Sequence, residues 1–187
     1  MQTPSMFSSL RASRLTRFAR DRRGVSAVEF ALIAPLLVAI YFGGIEVTTA
    51  VAVDRKMTLV AHTVADLAAQ SSKLTEAEIT DILKASVAIS APYATSNLKV
   101  TVSSIEIDAN GQAKIKWSRS YNGTAHSPDS VPLPAALKVP NTSLIWGEAS
   151  YDYKPMFGTT VFKASLTLGD ANYMRPRISS IVECCNG

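Results

Sequence analysis

The feature that most constrains this chain is a long apolar segment that follows an arginine-rich N-terminus. Residues 30–45 contain no charged side chain, and a second apolar stretch follows Glu46 as far as Val53. Residues 25–53 would form an α-helix of about 44 Å, since each helical residue adds about 1.5 Å. The hydrocarbon core of a membrane is about 30 Å thick, so this helix would span it with some tilt or protrusion. We therefore predict one transmembrane helix over residues 25–53.

The positive charge of the chain is concentrated before this segment. The net charge is +4, but the first 23 residues contain six arginines and one aspartate, so they contribute +5 and the remainder −1. This distribution argues against a nucleic-acid-binding face on the rest of the chain. By the positive-inside rule, it predicts a cytoplasmic N-terminus, with the residues beyond Val53 on the outer side of the membrane.

Two carboxylates interrupt the apolar segment. Glu29 lies one turn inside it, where a charged side chain costs about 2.5–3.5 kcal/mol even on the gentler insertion scales. We predict that Glu29 has a function, although it could instead extend to the interface and stabilise the helix N-terminus. Glu46 either marks the outer water boundary, which we favour, or faces a polar partner in the membrane.

A cleaved secretory signal is the main alternative for this segment. Residues 50–52 are Ala-Val-Ala, which has the small-x-small form of a cleavage site, and cleavage near Ala52 would release a soluble secreted protein. Such signals usually span about 15–30 residues, whereas this one would span 52.

Two helices are predicted at the outer side of the membrane segment. An apolar stripe at helical spacing continues the first helix as a spine to about Gln70. The stripe consists of Met57, Val60, Ala61, Val64, Leu67 and Ala68. Thr75 and Glu78 then form a capping box, which predicts a second helix that ends before Pro92.

The residues after Pro92 alternate with the period of a β-strand. Strands are predicted over 98–108, with a change of face at Ser103–Ser104, and over 113–121, 150–154 and 161–168. Turns are predicted at Asn110–Gly111 and Phe157–Gly158. The predicted class is α+β, a pilin-like four-stranded antiparallel sheet packed on the helical spine.

The predicted organisation has four parts. Residues 1–24 form a basic leader, 25–53 the transmembrane helix, 54–91 the extracytoplasmic helices, and 92–187 a β-rich extracytoplasmic domain. Within the last part, residues 122–147 contain four prolines and are predicted to form a long connection. It is either a contact surface for another subunit or an inert surface loop.

No catalytic site is predicted. The chain has two histidines, and its sequence contains no phosphate-binding loop, no metal-ligand spacing and no nucleophile motif. We expect no enzymatic activity, no cofactor or metal, and no small-molecule substrate. Cys184 and Cys185 would lie outside the cytoplasm, where oxidation is favoured. They either bond to each other, pair with another chain, or remain reduced.

The sequence Arg-Arg-Gly-Val-Ser-Ala-Val-Glu-Phe-Ala-Leu-Ile-Ala-Pro at residues 22–35 resembles the N-terminus of TadE/TadG-like pseudopilins of the Flp pilus system (tight adherence, type IVb). In that family a prepilin peptidase cuts after a glycine, and the fifth residue of the product is glutamate. The resemblance implies cleavage between Gly24 and Val25, with Glu29 as the assembly carboxylate. It extends into residues 54–72, and weaker similarity recurs at 148–155 and 175–177.

This resemblance implies a minor pilin-like protein of a bacterial adhesion pilus, anchored in the inner membrane with a periplasmic domain. Its implied partners are the prepilin peptidase, other pilins and the assembly platform. The leader of 24 residues is long for this family. A TadG-like protein that keeps its leader and stays membrane-anchored is therefore an alternative. An exported hydrolase is a further alternative, disfavoured because no nucleophile motif is present.

Overall fold

The computed structural model describes residues 23–128, 131, 133–156 and 165–185. The predicted α+β class, with a long apolar helix, a second helix and a four-stranded antiparallel sheet, is confirmed. The helices and strands, in chain order, are α1 (Arg23–Ala69), β1 (Lys73–Leu74), α2 (Glu76–Ile89), β2 (Leu98–Ile107), β3 (Ala113–Tyr121), β4 (Thr142–Tyr153), β5 (Leu166–Met174) and β6 (Glu183–Cys184). Residues 1–22, most of the predicted leader, lie outside the described residues.

The chain divides into two compact units, Met1–Ile45 and Glu46–Gly187. Helix α1 contributes to both. In the first unit, most of its apolar side chains are exposed along residues 25–45. In the second unit, the same helix supplies a buried stripe from Val53 to Ala69. This change in burial follows the sequence, since the second part has helical apolar periodicity and the first is apolar on every side.

The buried stripe of α1 forms the centre of the main core. Its fully buried members are Val53, Met57, Val60, Ala61, Val64, Ala65, Ala68 and Ala69. They confirm the predicted stripe except at Leu67, which is half-buried while Ala65 is fully buried. The stripe packs on one face of the sheet, against side chains that include Val100, Val102 and Ala149.

Helix α2 begins as its capping box predicts. The Thr75 side chain accepts a hydrogen bond from the backbone N–H of Glu78, and the Glu78 carboxylate accepts one from the backbone N–H of Thr75. Leu74 and Ile79, which flank this cap, are both 2% exposed and join the main core. The cap and this apolar pair together fix where the helix starts.

The sheet has strand order β3-β2-β4-β5, with every neighbouring pair antiparallel. The predicted change of face at Ser103–Ser104 corresponds to two apolar clusters on opposite faces of the sheet. Val100 and Val102 of β2 face helix α1, whereas Ile105 and Ile107 belong to a second cluster. Strand β3 contains a bulge, where its register with β2 shifts opposite Ser104 and Ile105. Because of this bulge, Trp117 packs in the main core and Ile115 packs in the second cluster.

Strand β4 is longer than predicted. It starts at Thr142 rather than at residue 150, so six residues of the predicted 122–147 connection belong to it. The sequence hides this strand because both of its faces are buried: Ile145 lies in the main core, and Leu144 and Trp146 lie in the second cluster. A strand buried on both faces has a continuous apolar run instead of an alternating one.

The described residues of the rest of the proline-rich connection cover part of the sheet face opposite helix α1. Leu133 is 7% exposed and packs in the second cluster with Ile105, Ile107 and Trp146. The backbone N–H of Ile115 also donates to the carbonyl of Pro128, at 3.2 Å. This part of the connection therefore contributes to the packing of the sheet.

The fourth strand of the sheet also differs from its prediction. The described strand is Leu166–Met174, whereas the predicted strand covered 161–168. Residues 157–164, including the predicted turn at Phe157–Gly158, lie outside the described residues. Strand β5 is largely exposed. Its sequence therefore shows little of the alternation between apolar and polar residues on which the prediction depended.

Gly147 allows helix α1 to approach strand β4 closely. A Cβ atom at this position would lie 2.5 Å from the carbonyl oxygen of Ala61, 2.8 Å from Val64 Cγ1 and 2.9 Å from Ala65 Cβ. The backbone oxygen cannot rotate away as the end of a flexible side chain could. The contact between helix and sheet therefore requires glycine here.

We expect Gly147→Ala to destabilise the second unit by about 1–3 kcal/mol, because an added methyl group overpacks this contact. Thermal and denaturant unfolding of the full chain in detergent would measure the loss. Gly43→Ala is the matched control, since a Cβ there meets nothing within 4 Å. Equal stability of the two variants would contradict the prediction.

Candidate functional site

The first unit presents an apolar helix surface. One described helix is long and apolar enough to cross a membrane, with a mean hydropathy of 2.1 in its most apolar window. The part of α1 in the first unit, residues 24–45, would be about 33 Å long at 1.5 Å per residue. This length is close to the roughly 30 Å hydrocarbon core. The exposed surface of this part suits a lipid environment or apolar partner helices.

The predicted processing site lies in the first turn of α1. The helix begins at Arg23, so Gly24 and Val25 are both helical, and both are exposed. A Cβ at Gly24 would meet nothing within 4 Å, and the residue does not have a positive φ. Glycine in a helix costs about 1 kcal/mol relative to alanine. Neither packing nor backbone conformation in the described part of the chain explains this glycine.

Glu29 lies on the same helix face as Val25, one turn further along the helix. Residues four apart in a helix are neighbours on its surface, so these two positions are adjacent. The Glu29 side chain is exposed. Among residues 24–128, 131, 133–156 and 165–185, no lysine, arginine or histidine forms an ion pair with its carboxylate. The carboxylate is therefore available to a group from outside the described structure.

The other carboxylate of the apolar segment has a partner in the second unit. Glu46 is half-buried, and the Tyr153 hydroxyl at the end of β4 donates a hydrogen bond to its carboxylate at 2.6 Å. Burial, and then this hydrogen bond, raise the pKa of Tyr153 to about 12 from its usual 10.0. This contact fixes the start of the second unit on helix α1.

A second polar contact joins the far end of α1 to the C-terminal segment. The Arg177 guanidinium forms an ion pair with Asp66, and the Arg177 backbone N–H donates to the Ala69 carbonyl at 2.9 Å. Tyr153 and Arg177 come from the two distal stretches, 148–155 and 175–177, that gave the weaker resemblance. Both stretches therefore serve to hold helix α1 in the second unit.

The C-terminal cysteines form a disulfide with each other, which is one of the three predicted alternatives. Strand β6, which contains Cys184, pairs in parallel with β1. The Trp117 indole N–H donates to the Val182 carbonyl at 2.8 Å, and Val182 is fully buried. Sequence analysis missed this two-stranded sheet, since strands of two residues carry no periodic pattern.

The outer sheet face carries a polar cluster that sequence analysis also missed. His126 stacks on Trp146, with ring centroids 4.3 Å apart, and its Nε2 contacts the Glu148 carboxylate. Trp146 in turn stacks on Tyr173 at 5.8 Å. A groove of about 510 Å³ lies beside the pair and is lined by His126, Glu148, Lys99 and Asp170, among others. Only the fold brings these residues together, since they are far apart in sequence.

Comparison with known proteins identifies one similarity. A family model described as TadE-like protein matches residues 24–66, which lie within α1. No curated protein and no solved structure matches the chain significantly. The resemblance to the TadE-like family is thus confirmed for this segment, whereas 148–155 and 175–177 lie outside it. With the apolar helix, the match indicates a membrane-anchored protein associated with the Tad pilus.

We expect Tyr153→Phe to lower the free energy of unfolding by about 1–2 kcal/mol at pH 8, because a hydrogen bond to a carboxylate is lost. The raised pKa means that the folded state favours the neutral phenol. The contribution of Tyr153 is therefore complete below pH 10.0 and is lost as the pH rises through about 12.

The measurement is denaturant unfolding of the wild type and Tyr153→Phe at increasing pH. Their difference in stability should shrink between pH 10.0 and about 12. Tyr121→Phe, which changes a tyrosine of β3, controls for general alkaline effects. A difference that stays constant with pH would contradict this prediction.

Proposed function

We propose that this protein is a minor pilin-like component, or pseudopilin, of Flp/Tad pilus assembly. The observation that carries the proposal is the TadE-like match, which begins at Gly24, the residue predicted to precede the cleaved bond. The exposed apolar part of α1 would anchor the protein in the bacterial inner membrane. The N-terminus would be cytoplasmic and the second unit periplasmic, as the arginine-rich N-terminus predicts.

In this proposal, a prepilin peptidase hydrolyses the amide bond between Gly24 and Val25. A protease binds its substrate in an extended form, so the first turn of α1 must open locally. The absence of a Cβ at Gly24 leaves the carbonyl accessible to the attacking water.

Cleavage would create a charge partner for Glu29. The new α-amine of Val25 would be mostly protonated at neutral pH, as the α-amines of model peptides are. Glu29 could bind this amine in its own chain or in a neighbouring subunit. We favour the neighbour, because side-by-side packing of two helices removes both charges from lipid. Other pilins and the assembly platform are the proposed partners.

The proposal includes a structural role without catalysis. The histidines do not form a catalytic group with a nucleophile in the described structure: His62 is exposed on α1, and His126 contacts Glu148 and Trp146. We assign no cofactor, small-molecule substrate or nucleic acid to the protein.

A TadG-like protein that keeps its leader is the second candidate. One observation favours it: the predicted scissile bond lies within α1, and an unprocessed protein would not need to open that turn. Release as a soluble protein by cleavage near Ala52 is disfavoured. Such a cut would fall inside the second unit, next to the fully buried Val53, and would remove Glu46 from Tyr153.

We expect Gly24→Leu to abolish processing without disturbing the fold, because a Cβ atom at this position meets nothing within 4 Å. Mass spectrometry of membrane-extracted protein should then detect the full 187-residue chain, whereas the wild type begins at Val25. Gly43→Leu, at another glycine of α1 with open surroundings, should still be processed. A wild-type N-terminus at Met1 or Val53 would refute the processing site.

We expect Glu29→Gln to preserve membrane insertion but to reduce pilus number by about tenfold or more, since the proposed charge pair with the Val25 amine in lipid is lost. Immunoblotting of membranes and electron microscopy of the cells measure the two effects. Ser26→Ala changes an exposed residue of the same helix end and should leave piliation unchanged. Normal piliation in Glu29→Gln cells would exclude the assembly role.

A further inference from the structure

The C-terminal cysteines lie beside a carboxylate from a distant part of the chain. The Sγ atoms of Cys184 and Cys185 and a carboxylate oxygen of Glu76 all lie within 4.8 Å of one another. We propose that, when the cysteines are reduced, these three groups bind one Zn²⁺ ion. Two thiolates and a carboxylate are suitable zinc ligands, and water would occupy the fourth tetrahedral position. This proposal is independent of the role in pilus assembly.

Backbone hydrogen bonds hold the three ligands in position. The N–H of Glu183 donates to the Ser72 carbonyl, and the N–H of Cys185 donates to the Leu74 carbonyl, each at 3.1 Å. These two bonds flank Cys184 and attach the cysteine pair to the segment just before α2. Glu76 is the first residue of α2, directly after the Thr75 cap. The hydrogen bonds to the segment before α2 therefore fix the distance between the cysteines and Glu76.

Arg119 balances the charge of the proposed site. Its guanidinium forms an ion pair with Glu76 and donates hydrogen bonds to both oxygens of that carboxylate. A bound Zn²⁺ would share these carboxylate oxygens with Arg119. Two thiolates and one carboxylate around Zn²⁺ carry a net charge of −1, which the +1 charge of Arg119 offsets.

The site is accessible to an ion from solvent. Both cysteines are half-buried, and Glu76 is exposed. A groove of about 440 Å³ runs beside Cys184 and is lined by residues that include Trp117 and Lys116. An ion could therefore enter without unfolding the second unit.

Metal binding requires prior reduction of the disulfide. An external dithiol would supply two electrons and two protons, which convert the S–S bond to two thiols while the dithiol becomes a disulfide. Zn²⁺ binding would then release the two thiol protons. Because the bond joins adjacent residues, it cross-links no separate parts of the chain. Reduction should therefore leave β1, β6 and α2 in place.

The test is metal titration of the reduced full chain in detergent, with Cd²⁺ as the spectroscopic probe and Zn²⁺ as competitor. We expect sulfur-to-cadmium charge-transfer absorption that saturates at one ion per chain and disappears when Zn²⁺ is added. Glu76→Gln should weaken binding by about tenfold or more, since one of three protein ligands is lost. Glu183→Gln removes a neighbouring carboxylate outside the cluster and should bind as the wild type does.

Three results would overturn the proposal. They are the absence of charge-transfer absorption in the reduced protein, saturation at one ion per two chains, and unchanged affinity in Glu76→Gln. The double variant Cys184→Ser, Cys185→Ser should show no absorption. Circular dichroism of each reduced protein verifies that a loss of binding does not reflect unfolding.

Discussion

The second unit depends on the close packing of helix α1 against the central strands of the sheet. Small residues make this approach feasible: Ala61 and Ala65 on the helix face Gly147 on β4, where even one methyl group would collide with a backbone oxygen. Around this point, Val60, Val64 and the valines of β2 are completely removed from water. Burial of such apolar side chains is the largest favourable term in folding, at about 25 cal/mol per Å². The polar contacts of the unit orient this packing.

Two polar contacts of helix α1 lie near the two ends of the buried stripe. Tyr153 binds Glu46 where the stripe begins, and Arg177 binds Asp66 where it ends. Helix α1 therefore changes environment over a few residues, from exposed apolar surface up to Ile45 to a folded core from Val53 onward. A single helix thus serves both as the proposed membrane anchor and as the core of the second unit. The TadE-like match covers both parts.

Local sequence signals predicted the elements that depend on local physics. The capping box at Thr75 and the apolar stripe from Met57 to Ala68 gave the helices, and the change of face at Ser103–Ser104 gave the two clusters of the sheet. The start of β4 was not predictable from alternation, because Leu144, Ile145 and Trp146 are buried on opposite faces. On the outer face, Leu144 and Trp146 pack with Leu133, and this tertiary contact is not encoded in the local sequence.

The candidate sites divide in the same way. Gly24, Val25 and Glu29 belong to one contiguous motif, so sequence alone proposed them, and the structure added that Gly24 has no packing role among the described residues. The cluster of Glu76 with Cys184 and Cys185 joins residues more than 100 positions apart. These residues come together because β1 pairs in parallel with β6, which brings the C-terminal cysteines to the start of α2. Short strands of this kind leave no trace in periodicity.

The bulge in β3 has a consequence for how precisely the hairpin must form. On the helix side of the sheet, Trp117 lies opposite Ser104, and on the outer side Ile115 lies opposite Ile105. Sliding either strand by one residue would expose one apolar group and bury charged neighbours such as Lys116 or Glu106. No uniform shift of one strand would keep both Trp117 and Ile115 buried. The hairpin therefore has a single alignment, and misaligned pairings during folding are penalised at both ends.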